Sequence, residues 1–230
     1  MENFLKNQGI NQKIIEIISL VVMAESCFVM IGWIFKIDFL TRISSNGINM
    51  KFSTALMFFF SSVGLYLIFK MVRESYEFSA IILPGIALLL FLVMGVILLA
   101  NFTNTETGLM ASLTGTQTGI ENLFVIRGDP VYGAGSGDPS ILTILNFILF
   151  GCACLGALFD FVYKKKIFKI IGLFIVIISL ISIIGYLFSL PILYFEINGL
   201  TPIAFNTALM FFLLGCGLII ISRTKTIYEV

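Results

Sequence analysis

The sequence of 230 residues contains no histidine, and only 12% of it is charged. Without an imidazole, histidine-ligated haem, the usual zinc centres and a Ser-His pair are excluded as readings. No phosphate-binding glycine loop and no basic stripe is present, so the nucleotide- and nucleic-acid-binding classes fall away as well. The four cysteines, Cys27, Cys152, Cys154 and Cys216, lie inside apolar runs and form no CxxC pair, which removes a disulfide framework and a metal motif. A catalyst would have to be assembled from one glutamate inside an apolar run, loop carboxylates and cysteines. Neither an enzyme nor a cofactor or metal is expected.

What the chain has in excess is apolar surface: 59% apolar residues and a mean hydropathy of +1.06. Six apolar stretches are long enough to cross the ~30 Å hydrocarbon core as helices, at Ile14 to Phe35, Phe52 to Phe69, Ser79 to Ala100, Ile141 to Tyr163, Ile167 to Leu190 and Pro202 to Ile221. Strands are disfavoured because a membrane barrel needs alternating polar and apolar residues, and no such alternation occurs. The first stretch is longer than a signal-peptide core and lacks a small-residue cleavage site, so it is expected to be retained as a span after a short segment, 1–13.

The chain also repeats itself. Sliding Gly32 to Tyr66 forward by 153 positions onto Gly185 to Ile219 gives 12 identities in 35, six of them the run TALMFF at Thr54 to Phe59 and Thr207 to Phe212. A third copy is weaker: Thr143, Leu145, Phe147, Gly151 and Cys152 fall 64 positions before Thr207, Leu209, Phe211, Gly215 and Cys216. The expected fold is an all-α integral membrane protein of six transmembrane helices, built from three tandem parallel helix-loop-helix repeats at about 14–69, 79–163 and 167–222.

Charge orients these units. Six spans place both termini and the loops between units on one side, and ten of the fourteen basic residues fall there, including Lys70, Arg73, Lys164 to Lys166, Lys169 and Arg223. The positive-inside rule makes that side the cytoplasm of a cell membrane, and puts the loops within each unit outside. Of these, the stretch 101–139 is much the longest. Thr118 and Glu121 have capping-box spacing, Ile120, Leu123 and Phe124 share a face, and Gly128 with Pro130 supplies a stop, which together predict a short helix at about 119–126.

Candidate functional residues are the polar groups inside spans. Glu25 lies midway along the first span with no Lys or Arg at comparable depth. A carboxylate there is costly, so it is expected to be neutral and hydrogen-bonded, with Asn146 as the partner. Two roles are open to it: helix glue, or a proton-linked, cation or ligand site. Thr54, Thr143 and Asn206-Thr207 recur just below the outer surface, where they either bond to their own or neighbouring helices or line a shared polar pocket near the bundle axis. Trp33 and Tyr186, equivalent in the repeat, are expected to be interfacial anchors, with ligand stacking as the alternative. Asp138-Pro139 and Thr201-Pro202 suggest a capping side chain ahead of a first-turn proline.

One combination of motifs resembles a known family. Gly185-Tyr186-Leu187-Phe188 closing one span, a short loop with a proline, and then NTALMFFLLGCGL at Asn206 to Leu218 look like the multi-span sensory input modules found ahead of PAS, histidine kinase or diguanylate cyclase domains in bacteria and archaea. GIENLFVIRGDP at Gly119 to Pro130 is similar to the loop before the fourth span in such modules. The resemblance covers about Gly32 to Ser222. It implies a multi-pass sensor that passes an extracytoplasmic or membrane-derived signal to a cytoplasmic signalling partner, in contact with membrane lipids and as a homodimer or complex. The sequence itself ends eight residues after the last span, so an isolated input module and a free-standing relative acting through a partner are both expected forms. A small channel or transporter using Glu25, or a non-catalytic subunit of a larger membrane complex, are the alternatives.

Overall fold

In the computed structural model the described residues are 2–42, 48–74, 77–103, 139–159, 162–194 and 202–224, and every regular element among them is helical. Long helices are α1 (Glu2–Phe35), α3 (Phe52–Glu74), α4 (Glu77–Thr103), α5 (Ile141–Gly156), α6 (Lys164–Leu187) and α7 (Phe205–Arg223). A short helix α2 (Asp38–Thr41) follows α1, and a 3-10 turn (Pro191–Tyr194) follows α6. Runs of Leu, Ile, Phe and Val leave the backbone no polar side chains to bond with, so its N–H and C=O groups must satisfy one another within each helix. Five of these helices are long and apolar enough to cross a membrane, while α5, at 16 residues, spans only about 24 Å.

Burial sorts the helices into two sets. The central helices α3, α5 and α7 are enclosed, whereas the peripheral helices α1, α4 and α6 turn rows of large apolar side chains outward, such as Ile17, Leu20 and Phe28 on α1 and Phe174, Ile177 and Ile184 on α6. Each peripheral helix seats on two central ones in cyclic order: α1 on α3 and α7, α4 on α5 and α3, α6 on α7 and α5. A protein in water would not present such faces; lipid tails accept them without loss.

Five levels of buried residues run along the central helices, with α3 packing on both α5 and α7. Thr54, Phe58, Ser61, Leu65 and Ile68 on α3 follow the spacing of a coiled-coil seam, as do Thr143, Phe147, Phe150 and Cys154 on α5 with Ala157 at its cap, and Thr207, Phe211, Leu214, Leu218 and Ile221 on α7. All fifteen are buried. In the second layer the rings of Phe58, Phe147 and Phe211 meet pairwise at 4.6 to 4.8 Å between centroids, tilted by 57° to 63°. Close approach comes from small residues: a Cβ on Gly217 would lie 2.6 Å from Leu65, and one on Gly64 would lie 3.3 Å from the Cys154 sulfur.

The same local geometry recurs 153 positions apart. α1 ends with Lys36 at φ 57°, and Ile37 N–H donates to Gly32 O at 2.8 Å; α6 ends with Ser189 at φ 53°, and Leu190 N–H donates to Gly185 O at 2.8 Å. Both are Schellman closures with a left-handed residue. The chain then folds back so tightly that a Cβ on Gly32 or Gly185 would stand 2.7 Å from the Cβ of Leu40 or Leu193, which is why glycine occupies both positions. Met50 N–H to Thr41 O (2.9 Å) and Ile203 N–H to Tyr194 O (3.1 Å) continue the correspondence, and the three central helices begin at equivalent residues, Phe52, Ile141 and Phe205.

Several sequence expectations are corrected here. The fourth apolar stretch does not continue as a helix to Tyr163, because α5 stops at Gly156 and 157–159 form turns. Proline does not open the central helices: α5 is capped by Ser140, whose Oγ accepts from Thr143 N–H at 3.1 Å, and Pro202 lies outside α7, whose cap position is Ala204. The segment before the first span is already helical, since α1 begins at Glu2. The expected helix at about 119–126 lies outside the described residues.

Candidate functional site at the mouth of the central bundle

Thr54, Thr143 and Thr207 each occupy the third residue of a central helix, with exposures of 2%, 2% and 3%. Because the helices start in register, the three side chains arrive at one level and line a single cavity of about 10 Å³, room for roughly one water. Asn49, Met50, Lys51, Ser140 and Ala204 complete most of its wall. Beneath it the three phenylalanines close the axis.

The wall combines hydroxyl groups with a larger apolar share, and the hydroxyls are unevenly satisfied. Ser140 Oγ and Thr143 Oγ1 share a hydrogen bond of 2.7 Å. Thr54 and Thr207 face the cavity with hydroxyls that have no hydrogen-bond partner among the described residues, the carbonyls one turn back being taken by other donors. Lys51, 8% exposed, stands immediately before α3, and its carbonyl accepts from Ala55 N–H at 3.0 Å.

Trp33 and Tyr186 support this wall from behind. The Trp33 indole N–H donates to Met50 O at 2.8 Å and the Tyr186 hydroxyl donates to Ile203 O at 2.6 Å, each tying the end of a peripheral helix to the strand-like approach of a central one. Trp33 is therefore a buried tether and not an interfacial anchor; its ring fills the gap between α1 and the approach to α3. Tyr186 is half-buried and stacks on Tyr194, with centroids 4.3 Å apart and planes 13° from parallel. Asn206 links the two ends of the chain: its Nδ2 donates to Thr41 O at 3.4 Å, and its Oδ1 accepts from Thr207 N–H at 3.2 Å.

The expected Glu25–Asn146 pair is not formed. Asn146 is fully buried on α5 with both amide atoms unpartnered, whereas Glu25 is half-buried at the edge of the α1 face that packs on α3 and α7. Helix α5 lies across the bundle from that edge. Sequence reasoning missed Lys51, Ser140 and the phenylalanine layer. The signal for the last was available, since Phe58, Phe147 and Phe211 are equivalent in the repeat register.

Among the described residues no group of three or more Cys, Asp or Glu side chains could hold a metal. Comparison with protein-family models, curated proteins and solved structures returns no match.

Proposed function

We propose that the chain is a multi-pass membrane sensor or receptor module: six spans in three parallel repeats, with both termini cytoplasmic, taking a signal at the mouth of the central bundle and passing it inward to a cytoplasmic partner. The observation that carries this reading is a cavity, lined by hydroxyl and apolar side chains, at one end of an axis that is packed shut below it. A conduit needs a polar path through the bilayer; here the layers beneath the threonines are Phe, Leu, Ile, Ala and Cys with one serine. A closed axis with a mouth is the form of a receptor. Occupancy at the mouth touches the first turns of α3, α5 and α7 together, and small interface shifts in packed helices are amplified because packings are bistable.

The recurrence of closures, tethers and helix starts supports duplication, and the shared direction of α3, α5 and α7 supports rotation about the membrane normal over inversion. In this arrangement α5 is a short sixth span. Basic residues Arg73, Lys164 to Lys166 and Arg223 lie at the end opposite the cavity, which supports an extracytoplasmic cavity end. The resemblance to sensory input modules points the same way. Glu25, away from the axis, gives a transport reading no support.

The test is fusion of a histidine kinase domain after Val230 with one-residue insertions between Ser222 and the fusion point. Each insertion turns the following helix by about 100°, so a sensor gives kinase output that varies with helical phase. Flat output at every phase, with ion or solute flux in reconstituted liposomes, would replace the sensor by a transporter.

A further inference from the structure

We infer that the outward side of α1 around Glu25 is a self-association surface, on which a second copy of this chain packs its own α1 so that the two Glu25 carboxyls bond to each other. Glu25 stands midway between Ile14 and Phe35, about 15 Å from either end at ~1.5 Å per residue, and so near the middle of the ~30 Å hydrocarbon core. It is half-buried, and Val21 and Phe28, one turn below and above it on the same side of the helix, are exposed to lipid. The carboxyl makes no hydrogen bond or ion pair with any described residue, and no Lys or Arg of the chain lies at its depth. Lipid tails offer it no partner either, and a carboxyl at that depth is normally kept only where protein or water meets it. α1 carries this surface whether or not the bundle is a sensor.

Symmetry selects the occupant. Two copies in one membrane share an orientation, so a two-fold axis between them runs along the membrane normal and each seam residue faces its own counterpart at the same depth. A group that only donates or only accepts would be left unmatched there. A carboxylic acid is not: with one O–H donor and one C=O acceptor, a pair closes two reciprocal hydrogen bonds. The surface around it suits a second helix. Ile14, Ile17, Val21, Ala24, Phe28 and Ile31 are all exposed and follow one another in steps of three and four, the seam spacing of a parallel helix pair, with Glu25 flanking the seam. Ala24 is the one small residue among the exposed side chains of α1 from Ile14 to Phe35, and it adjoins Glu25, so the backbones come closest where the carboxyls meet. The outward rows of α4 and α6 are apolar throughout their middles, which marks α1 as the associating face.

The test follows energy transfer between donor- and acceptor-labelled copies of the whole chain in phosphatidylcholine vesicles as the protein is diluted with lipid. Transfer that fits a monomer–dimer equilibrium is expected, with association about tenfold weaker in Glu25→Leu, which removes the hydrogen bonds and leaves an apolar side chain facing lipid. Glu25→Gln should associate nearly as the parent does, because an amide also both donates and accepts. Ala24→Leu should weaken association by holding the helices apart, and all three variants are checked for unchanged helix content and Trp33 fluorescence. In a second arm the native cysteines are replaced, and Ala24→Cys is expected to form an oxidative cross-link between two copies while Leu92→Cys, on the outward row of α4, does not. The proposal is overturned by transfer that never exceeds the random level, by association that Glu25→Leu leaves unchanged, or by a cross-link at Leu92→Cys and none at Ala24→Cys. A cross-link from Ala24→Cys in native membranes that joins a different protein, with no self-association in vesicles, assigns the face to that partner and overturns the proposal too.

Discussion

Asn146 stands where the repeat register puts methionine in the other two central helices, Met57 and Met210, and all three are buried. An amide enclosed with neither atom bonded carries a desolvation penalty of about 1 to 3 kcal/mol. Asn146→Leu is therefore expected to leave thermal stability in detergent unchanged or higher, and a loss above about 1 kcal/mol would show that the amide has a partner. From sequence alone a polar residue deep in a span invites pairing with the nearest carboxylate, Glu25. Which face of α1 meets which helix is a property of the packed bundle, so that pairing could not be decided from depth. The phenylalanines make the opposite case: Phe58, Phe147 and Phe211 are equivalent in sequence and meet in space. Each →Ala change is expected to cost about 3 to 5 kcal/mol, alike within error because the three sites are alike. A much smaller loss at one of them, by denaturation in mixed micelles, would show that the layer is not shared equally.

The helix ends show how local chemistry sets the position of the mouth. α1 and α6 each close on a left-handed residue that is not glycine, Lys36 and Ser189, a conformation that costs an L-residue about 1 to 2 kcal/mol. Ser189→Gly is expected to raise stability by about 1 kcal/mol and Ser189→Val to lower it, readable as opposite shifts in the melting temperature; equal effects would mean the closure is not strained. Glycines inside the helices act differently. Gly172 and Gly215 face each other so closely that a Cβ on either would lie 2.8 or 2.9 Å from the other's carbonyl oxygen. Gly172→Ala should push α6 off α7 and destabilise, while Gly95→Ala, with nothing within 4 Å, should be neutral or stabilising by about 0.5 to 1 kcal/mol. Element existence was legible because apolar runs of span length can only be helices in lipid. Element ends were less so: α5 halts at Gly156 and Ser140 displaces the proline as its opening signal, since caps depend on backbone angles that composition does not reveal.

At the scale of the whole molecule, the order of chain and the order in space coincide: each helical hairpin packs within itself and then on the preceding one, and the third closes on the first through α1 with α7 and Asn206 with Thr41. That closure explains why a sequence repeat could foretell so much of the fold. Positions aligned by the proposed repeat are buried alike along α3, α5 and α7, and Phe58, Phe147 and Phe211 also meet in space, so the alignment is a guide to contacts. It foretold less of the mouth, because Lys51 has Ser140 and Ala204 as its equivalents and only one of the three is charged. The parallel orientation is open to a direct test on exposed turns. Ile37 and Leu190 are equivalent residues at the ends of α1 and α6, while Val162 is exposed on the approach to α6 at the opposite end of the bundle. With the native cysteines replaced by serine or alanine, Ile37→Cys and Leu190→Cys are expected to react together with a membrane-impermeant maleimide added outside intact cells. Val162→Cys should react only after the membrane is opened. Inverted repeats would instead put Ile37 and Leu190 on opposite sides, so labelling of only one of them from outside would defeat the parallel arrangement and with it a mouth built from three helix starts.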